Sequence, residues 1–163
     1  MRLALLPALL LAVLLSACGF SPMYAPRADG APAIGPVIVD EVPGKSGFVL
    51  KNELDKLFDV ERGTGAARRL SVTLDEGLAG LGFRVDESAS RSDLTLSATY
   101  VLFDVNGQEV VRGRATTTAS YDIPSSAYAE VAAQNDARAR AAELLAERIR
   151  AELALKLSAK RKS

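Results

Sequence analysis

The fold is decided by residues 94–121, LTLSATYVLFDVNGQEVVRGRATTTASY. In its first half, apolar or small side chains alternate with Thr and Ser, which is the pattern of a half-buried strand. A second alternating run follows Asn106-Gly107, a dipeptide typical of tight primed hairpin turns because both of its residues tolerate positive φ. The stretch therefore predicts a long antiparallel hairpin.

Shorter patterns on the N-terminal side predict two more strands and a helix. The β-branched run at residues 37–39 and the alternating run at residues 70–74 are typical of strands. Between them, Ser46 is a candidate helix N-cap. It precedes one apolar helical face, formed by Leu50, Leu54, Leu57 and Phe58. Residues 76–91 are rich in Gly, Ser and acidic residues, so we expect a loop to follow the second strand.

A long helix is predicted at the C-terminal end. Residues 127–157 contain neither Gly nor Pro, and every third or fourth residue is apolar along one stripe. The stripe consists of Ala142, Leu145, Ile149, Leu153 and Leu157. The resulting order is β-α-β-β-β-α. We therefore expect a single α+β domain over residues 37–158, with two helices packed on one face of a mostly antiparallel four-stranded sheet, followed by a basic tail at residues 159–163.

The sheet face opposite the helices is predicted to be hydrophilic. On the last strand it carries Arg112, Arg114, Thr116 and Thr118. Such a face is either exposed to solvent alone or a hydrated contact surface for a partner, and the pattern is compatible with both.

The first 36 residues read as a targeting and anchoring segment. A positive start and an apolar run at residues 3–15 are typical of a signal peptide over residues 1–17, too short to span a membrane as a helix. The ending Leu15-Ser16-Ala17-Cys18 resembles the lipobox of bacterial lipoproteins, which implies that Cys18 is lipidated; the alternative is an ordinary signal peptide beside an unmodified cysteine. Residues 18–36 form a Pro-rich tether. In the lipoproteins that this segment resembles, Asp after the cysteine often means retention in the inner membrane, so the resemblance implies that Gly19 favours the outer membrane.

The composition excludes several kinds of chemistry. The chain has 163 residues, no His and one Cys, so it lacks the ligands of a common zinc site and the base of a His-dependent triad. Lys and Arg together equal Asp and Glu, which argues against a nucleic-acid binder. We therefore expect a non-enzymatic protein without metal or cofactor, apart from a covalent lipid on Cys18.

Two segments carry a family resemblance. Cys18 followed by Gly19-Phe20-Ser21-Pro22-Met23-Tyr24 is similar to the mature start of the LptE family of lipopolysaccharide (LPS) assembly lipoproteins. The far end agrees, with Ser120-Tyr121, then Ser126-Ala127-Tyr128-Ala129, then Asp136-Ala137 in a helix that ends Leu145-Ala146-Glu147-Arg148-Ile149-Arg150.

The resemblance implies a function in the outer membrane. It suggests a plug and assembly subunit inside the β-barrel protein LptD, helping LPS reach the outer leaflet. Arg84 matches the basic loop residues linked to LPS binding in the family, and Arg91 is a second candidate. A further basic position expected before the last helix is unmatched, because residues 132–135 are uncharged. The alternative is an auxiliary lipoprotein of another envelope lipid-transport system, of the ABC type.

Overall fold

A computed structural model describes residues 34–58, 66–83 and 89–160 of the chain. The predicted signal peptide, Cys18 with most of the tether, and Arg84 lie outside these residues. The elements are β1 (Val37–Val39), α1 (Gly44–Phe58), β2 (Arg68–Phe83), β3 (Ala89–Phe103), β4 (Glu109–Asp122) and α2 (Ala127–Lys160).

The four described strands form one sheet in the order β1-β2-β3-β4. β1 pairs with β2 in parallel, and the other two pairings are antiparallel, so the sheet is mixed. Helix α1 connects the parallel strands, and α2 packs beside it against β3 and β4. The predicted class and element order are confirmed.

The core lies between the sheet and the two helices. Residues of β3 with even numbers from Leu94 to Leu102 are fully buried, and Tyr100 is the largest of them. The predicted α2 stripe is also buried, through Ala142, Leu145, Ile149, Leu153 and Leu157. Ile34 joins the same core just before β1. The apolar side chains of the strands and of the helices therefore pack together in one core layer, as the sequence indicates.

Tyr100 shapes the middle of this core. Its hydroxyl donates a hydrogen bond to Glu152 on α2 at 2.6 Å, and the Nζ atom of Lys156 lies 5.6 Å from its ring centre. Gly113 is its partner on β4, and a Cβ added there would lie 2.3 Å from the tyrosine oxygen. Burial, followed by the bond to Glu152, raises the pKa of Tyr100, so the hydroxyl remains a donor. Glycine at residue 113 thus leaves the space that the tyrosine occupies.

The structure differs from the sequence expectations in the region after residue 74. β2 continues to Phe83 instead of ending in a loop, because its pairing with β3 keeps one register from Arg69–Phe103 to Phe83–Ala89. Backbone pairing thus overrides the low strand propensity of the glycines.

Two local features also differ. The β3–β4 connection spans five residues, and the Oδ1 atom of Asp104 accepts hydrogen bonds from the amides of Asn106 and Gln108. It is therefore not the two-residue turn expected from Asn106-Gly107, although Gly107 has the positive φ expected of it. Ser46 is not an N-cap, since α1 begins at Gly44, and its side chain is buried.

Candidate interaction surface

The outer face of the sheet is a polar surface that no described helix covers. It carries the side chains that alternate with the buried ones on β3 and β4. Across these strands, the hydroxyls of Thr95 and Thr118 lie 3.0 Å apart, and those of Ser97 and Thr116 lie 3.2 Å apart. Such cross-strand pairs hold the hydroxyls in fixed rows. We call the surface formed by residues 95, 97, 99, 112, 114, 116 and 118 the hydroxyl face.

Arginines stand at one end of the hydroxyl face. Arg112 is opposite Val101 and Arg114 is opposite Thr99, and both arginines are exposed. Arg112 makes a two-point contact with Glu109, whose oxygens lie 3.1 Å and 2.7 Å from the guanidinium nitrogens. The hydrogen bond with Arg112 lowers the pKa of Glu109, which favours its charged form. The structure therefore brings together Arg112, Arg114, Thr116 and Thr118, as the alternation predicts.

Arg91, one of the two candidate LPS-binding residues, lies at the opposite end of the sheet. Arg91 is exposed and pairs with Leu81 on one side and Asp122 on the other, where the β3–β4 ladder ends. Arg84 lies in the segment between β2 and β3, outside the described residues. The uncharged residues 132–135 fall inside α2 rather than before it. A cation nevertheless stands beside them, because the Nζ atom of Lys45 on α1 donates to the Oδ1 atom of Asn135 at 2.7 Å.

A partly buried charged cluster, which the sequence did not reveal, joins three elements. Arg138 on α2 donates to Ser46 of α1 at 2.8 Å and to the carboxylate of Glu76 on β2 at 2.7 Å. Its third contact is with Asn135 at 3.0 Å. We call Arg138, Ser46, Glu76 and Asn135 the Arg138 cluster. The hydrogen bond from Arg138, with that from Ser46, lowers the pKa of Glu76 despite the opposing effect of burial.

The Arg138 cluster also separates two adjacent acidic residues, Asp75 and Glu76, by their surroundings. Asp75 and Glu76 are adjacent on β2 and therefore point to opposite faces of the sheet. Glu76 faces the helices and meets Arg138, whereas Asp75 lies on the outer side opposite Ser97. The contact between residues 76 and 138 joins elements that are distant in sequence, and an arginine within an otherwise apolar helix stripe is the signal that could have indicated it.

The described residues hold no group of three or more His, Cys, Asp or Glu side chains suited to a metal ion. Within the same residues, neither helix has the length and apolarity of a membrane span.

Comparison with known proteins identifies the family. The model of the LptE lipopolysaccharide-assembly family matches residues 35–153. A candidate lipoprotein from Caulobacter crescentus CB15 has a similar fold, with a TM-score of 0.63 and 28% identity over 77% of this chain and 93% of that one. A minor lipoprotein from Acinetobacter baumannii has a TM-score of 0.58 and 18% identity, over 78% and 93% of the two chains. A search of curated proteins gave no match.

Proposed function

The chain belongs to the LptE family of lipopolysaccharide-assembly proteins, and from this membership we propose that it is the lipoprotein plug of the LPS translocon in the outer membrane. In this role it fits inside the β-barrel protein LptD, supports the assembly of the barrel and helps LPS pass to the outer leaflet. It works through contacts and not through catalysis, and its only attached group is the lipid on Cys18. The family match favours this function over an auxiliary role in an ABC-type lipid-transport system.

The observation that carries the proposal is the uncovered hydroxyl face. The inside of a large barrel is lined by polar side chains, because the residues of each wall strand alternate between lipid and lumen. A surface of exposed Thr and Ser hydroxyls can exchange hydrogen bonds with such a wall, directly or through water. Arg112 and Arg114 add charged donors at its edge. We propose that these two arginines, with Thr116 and Thr118, contact the barrel.

Basic residues at the other end of the sheet fit the anionic part of LPS. We propose that Arg84 and Arg91 bind its phosphate groups, since guanidinium groups form two-point hydrogen bonds with phosphate. Replacement of Arg84 and Arg91 by Ala should therefore weaken LPS binding, measured with purified protein at two salt concentrations.

The lipid on Cys18 is proposed to anchor the protein on the periplasmic side of the outer membrane. Two or more acyl chains are needed for stable attachment, because each buried methylene contributes only about 0.8 kcal/mol. The anchor and the plug are separable in this proposal, since the tether carries the lipid and the α+β domain makes the protein contacts.

Co-purification with LptD tests the proposal. The wild-type lipoprotein, tagged and extracted in mild detergent, should bring down LptD in stoichiometric amount. The double variant Thr116→Glu/Thr118→Glu puts two carboxylates on the hydroxyl face and should lose most of the LptD. The control Glu143→Arg changes an exposed residue on α2 and should retain it. Wild-type protein that brings down no barrel would refute the plug role.

A further inference from the structure

The two edges of the sheet differ in how far their outward backbone groups are hydrogen-bonded. On β4, the even-numbered residues turn their backbone groups away from β3 and towards the free edge. Basic side chains of α2 donate to the carbonyl oxygens of three of them: Arg140 to Ser120 at 3.3 Å, Arg148 to Thr116 at 3.0 Å and Lys156 to Arg112 at 2.7 Å. Every second acceptor that an incoming strand would use along this stretch is therefore already occupied.

The spacing of these bonds explains how side chains of one helix reach carbonyl oxygens along most of β4. The three basic residues are eight apart on α2, which corresponds to about 12 Å of helix rise. The three carbonyls are four apart on β4, which corresponds to about 13 Å of strand. Because these repeats match, α2 runs along β4 and meets every second outward carbonyl. Long basic side chains at a sheet edge are a known protection against strand pairing.

The opposite edge has no such protection among the described residues. β1 pairs with only three residues of β2. The bonds from the Arg68 amide to Pro36 and from the Asp40 amide to the Leu70 carbonyl show that even-numbered residues of β2 face this edge. Beyond Leu70 these are Val72, Leu74, Glu76, Leu78 and Gly80, and no hydrogen bond within the described part of the chain uses their outward backbone groups.

The side chains along this edge favour a particular occupant. Residues 71–81 include no basic residue, and of their two acids Glu76 is paired with Arg138, whereas Asp75 is exposed. Two copies paired antiparallel around this point would bring their Asp75 carboxylates near each other, whereas a strand with a Lys or Arg opposite Asp75 would gain an ion pair. Gly77 and Gly80 have no side chain and Ala79 has only a methyl group, so little side-chain bulk hinders the approach of such a strand.

We propose that the outward edge of β2 from Val72 to Gly80 binds an extended basic segment of the barrel partner, which adds to the sheet as an additional strand. This rests on the proposed function, which supplies the partner. The wall strands of a closed barrel have no unpaired edge, so the segment belongs to a part of the partner outside the wall. Main-chain hydrogen bonds give such strand addition its affinity.

Amide hydrogen exchange tests the proposal directly. In the free lipoprotein, the outward amides of Leu74, Leu78 and Gly80 should exchange quickly, while those of Asp75 and Gly77, which face β3, exchange slowly. In the complex with LptD the outward amides should slow by at least tenfold. Unchanged exchange of these amides in an intact complex would overturn the proposal and leave the plug role standing. Protection that grows with the concentration of the free lipoprotein would show that a second copy pairs there, and would also overturn it.

A proline substitution provides the second test. Leu78→Pro removes one outward amide, leaves the bonds to β3 in place and follows Gly77, which tolerates the crowding before a proline. The control Leu78→Thr keeps the amide. The proline variant should bind LptD at least fivefold more weakly than the threonine variant, with equal melting temperatures. Equal LptD binding by the proline and threonine variants would contradict the proposal. If the wild-type protein itself does not bind LptD, the plug role is refuted instead.

Discussion

Replacement of Arg138 by Met should destabilise the fold more than any exposed substitution on the same helix. The change removes the guanidinium donor of the Ser46 hydroxyl and leaves the carboxylate of Glu76 with the hydrogen bond from Ser46 but without its ion pair. The loss of one partner of a buried ion pair costs roughly 3–5 kcal/mol. The side chain of Glu76 is 26% exposed to solvent in the folded protein. Its carboxylate can therefore regain water, and we expect a loss of about 2–3 kcal/mol.

Chemical denaturation of the purified protein, with thermal melting beside it, measures this loss. For a domain of this size the melting temperature should fall by about 8–12 °C. The control Arg114→Met removes an exposed arginine and should change the free energy of unfolding by less than about 0.5 kcal/mol. Glu76→Gln in the Arg138→Met background should add little, because the pair is already broken. The reasoning fails if the Arg138 and Arg114 variants unfold at the same denaturant concentration.

The same contact predicts a pH dependence with a definite sign. The pKa of Glu76 is lower in the folded protein than its ordinary value of 4.5, so the unfolded chain binds the proton more readily. The stabilisation is therefore complete above the unfolded pKa and is lost as pH falls through the folded pKa. The stability difference between the wild type and Arg138→Met should shrink between pH 6 and pH 3. A difference that stays constant over this range would contradict the assignment of the ion pair.

Two further substitutions test the core and the anchor. Gly113→Ala should cost about 1–3 kcal/mol, because the new Cβ would overlap the Tyr100 hydroxyl. Gly77→Ala is the matched control, since no atom lies within 4 Å of a Cβ there, and thermal melts that coincide would show the crowding argument to be wrong. Cys18→Ala should release the protein from membranes while LptD binding largely persists. Fractionation with palmitate labelling measures this, and a labelled, membrane-bound alanine variant would exclude Cys18 as the lipid site.

Patterns with local periodicity were predicted correctly from the sequence. The alternation in β3 and β4 identified which side chains share the hydroxyl face, and the spacing on α2 identified its buried stripe. Each depends only on residues a few positions apart in the chain. The same kind of regularity is present in Arg140, Arg148 and Lys156, but its meaning depends on a strand that another part of the chain provides.

Long-range contacts could not be predicted in this way. Ser46 and Arg138 are 92 residues apart, and their hydrogen bond exists only because α1 and α2 pack side by side on the sheet. The extent of β2 was missed for a related reason, since its glycines disfavour a strand when β3 is not considered. From the sequence, Ser46 is a good candidate for a helix N-cap. In the structure it lies within α1, and its hydroxyl bonds to Glu76 and Arg138 instead.

A photocrosslinking scan of the two ends of the sheet tests the plug role most directly. A photoreactive residue at Arg112 or Arg114 in living cells should give adducts with LptD, and one at Arg91 should give adducts with LPS. The exposed Glu143 on α2 serves as the reference position. The plug role predicts that barrel adducts concentrate at residues 112 and 114. Adducts there with an inner-membrane transporter component, or the same low yield as at residue 143, would contradict it.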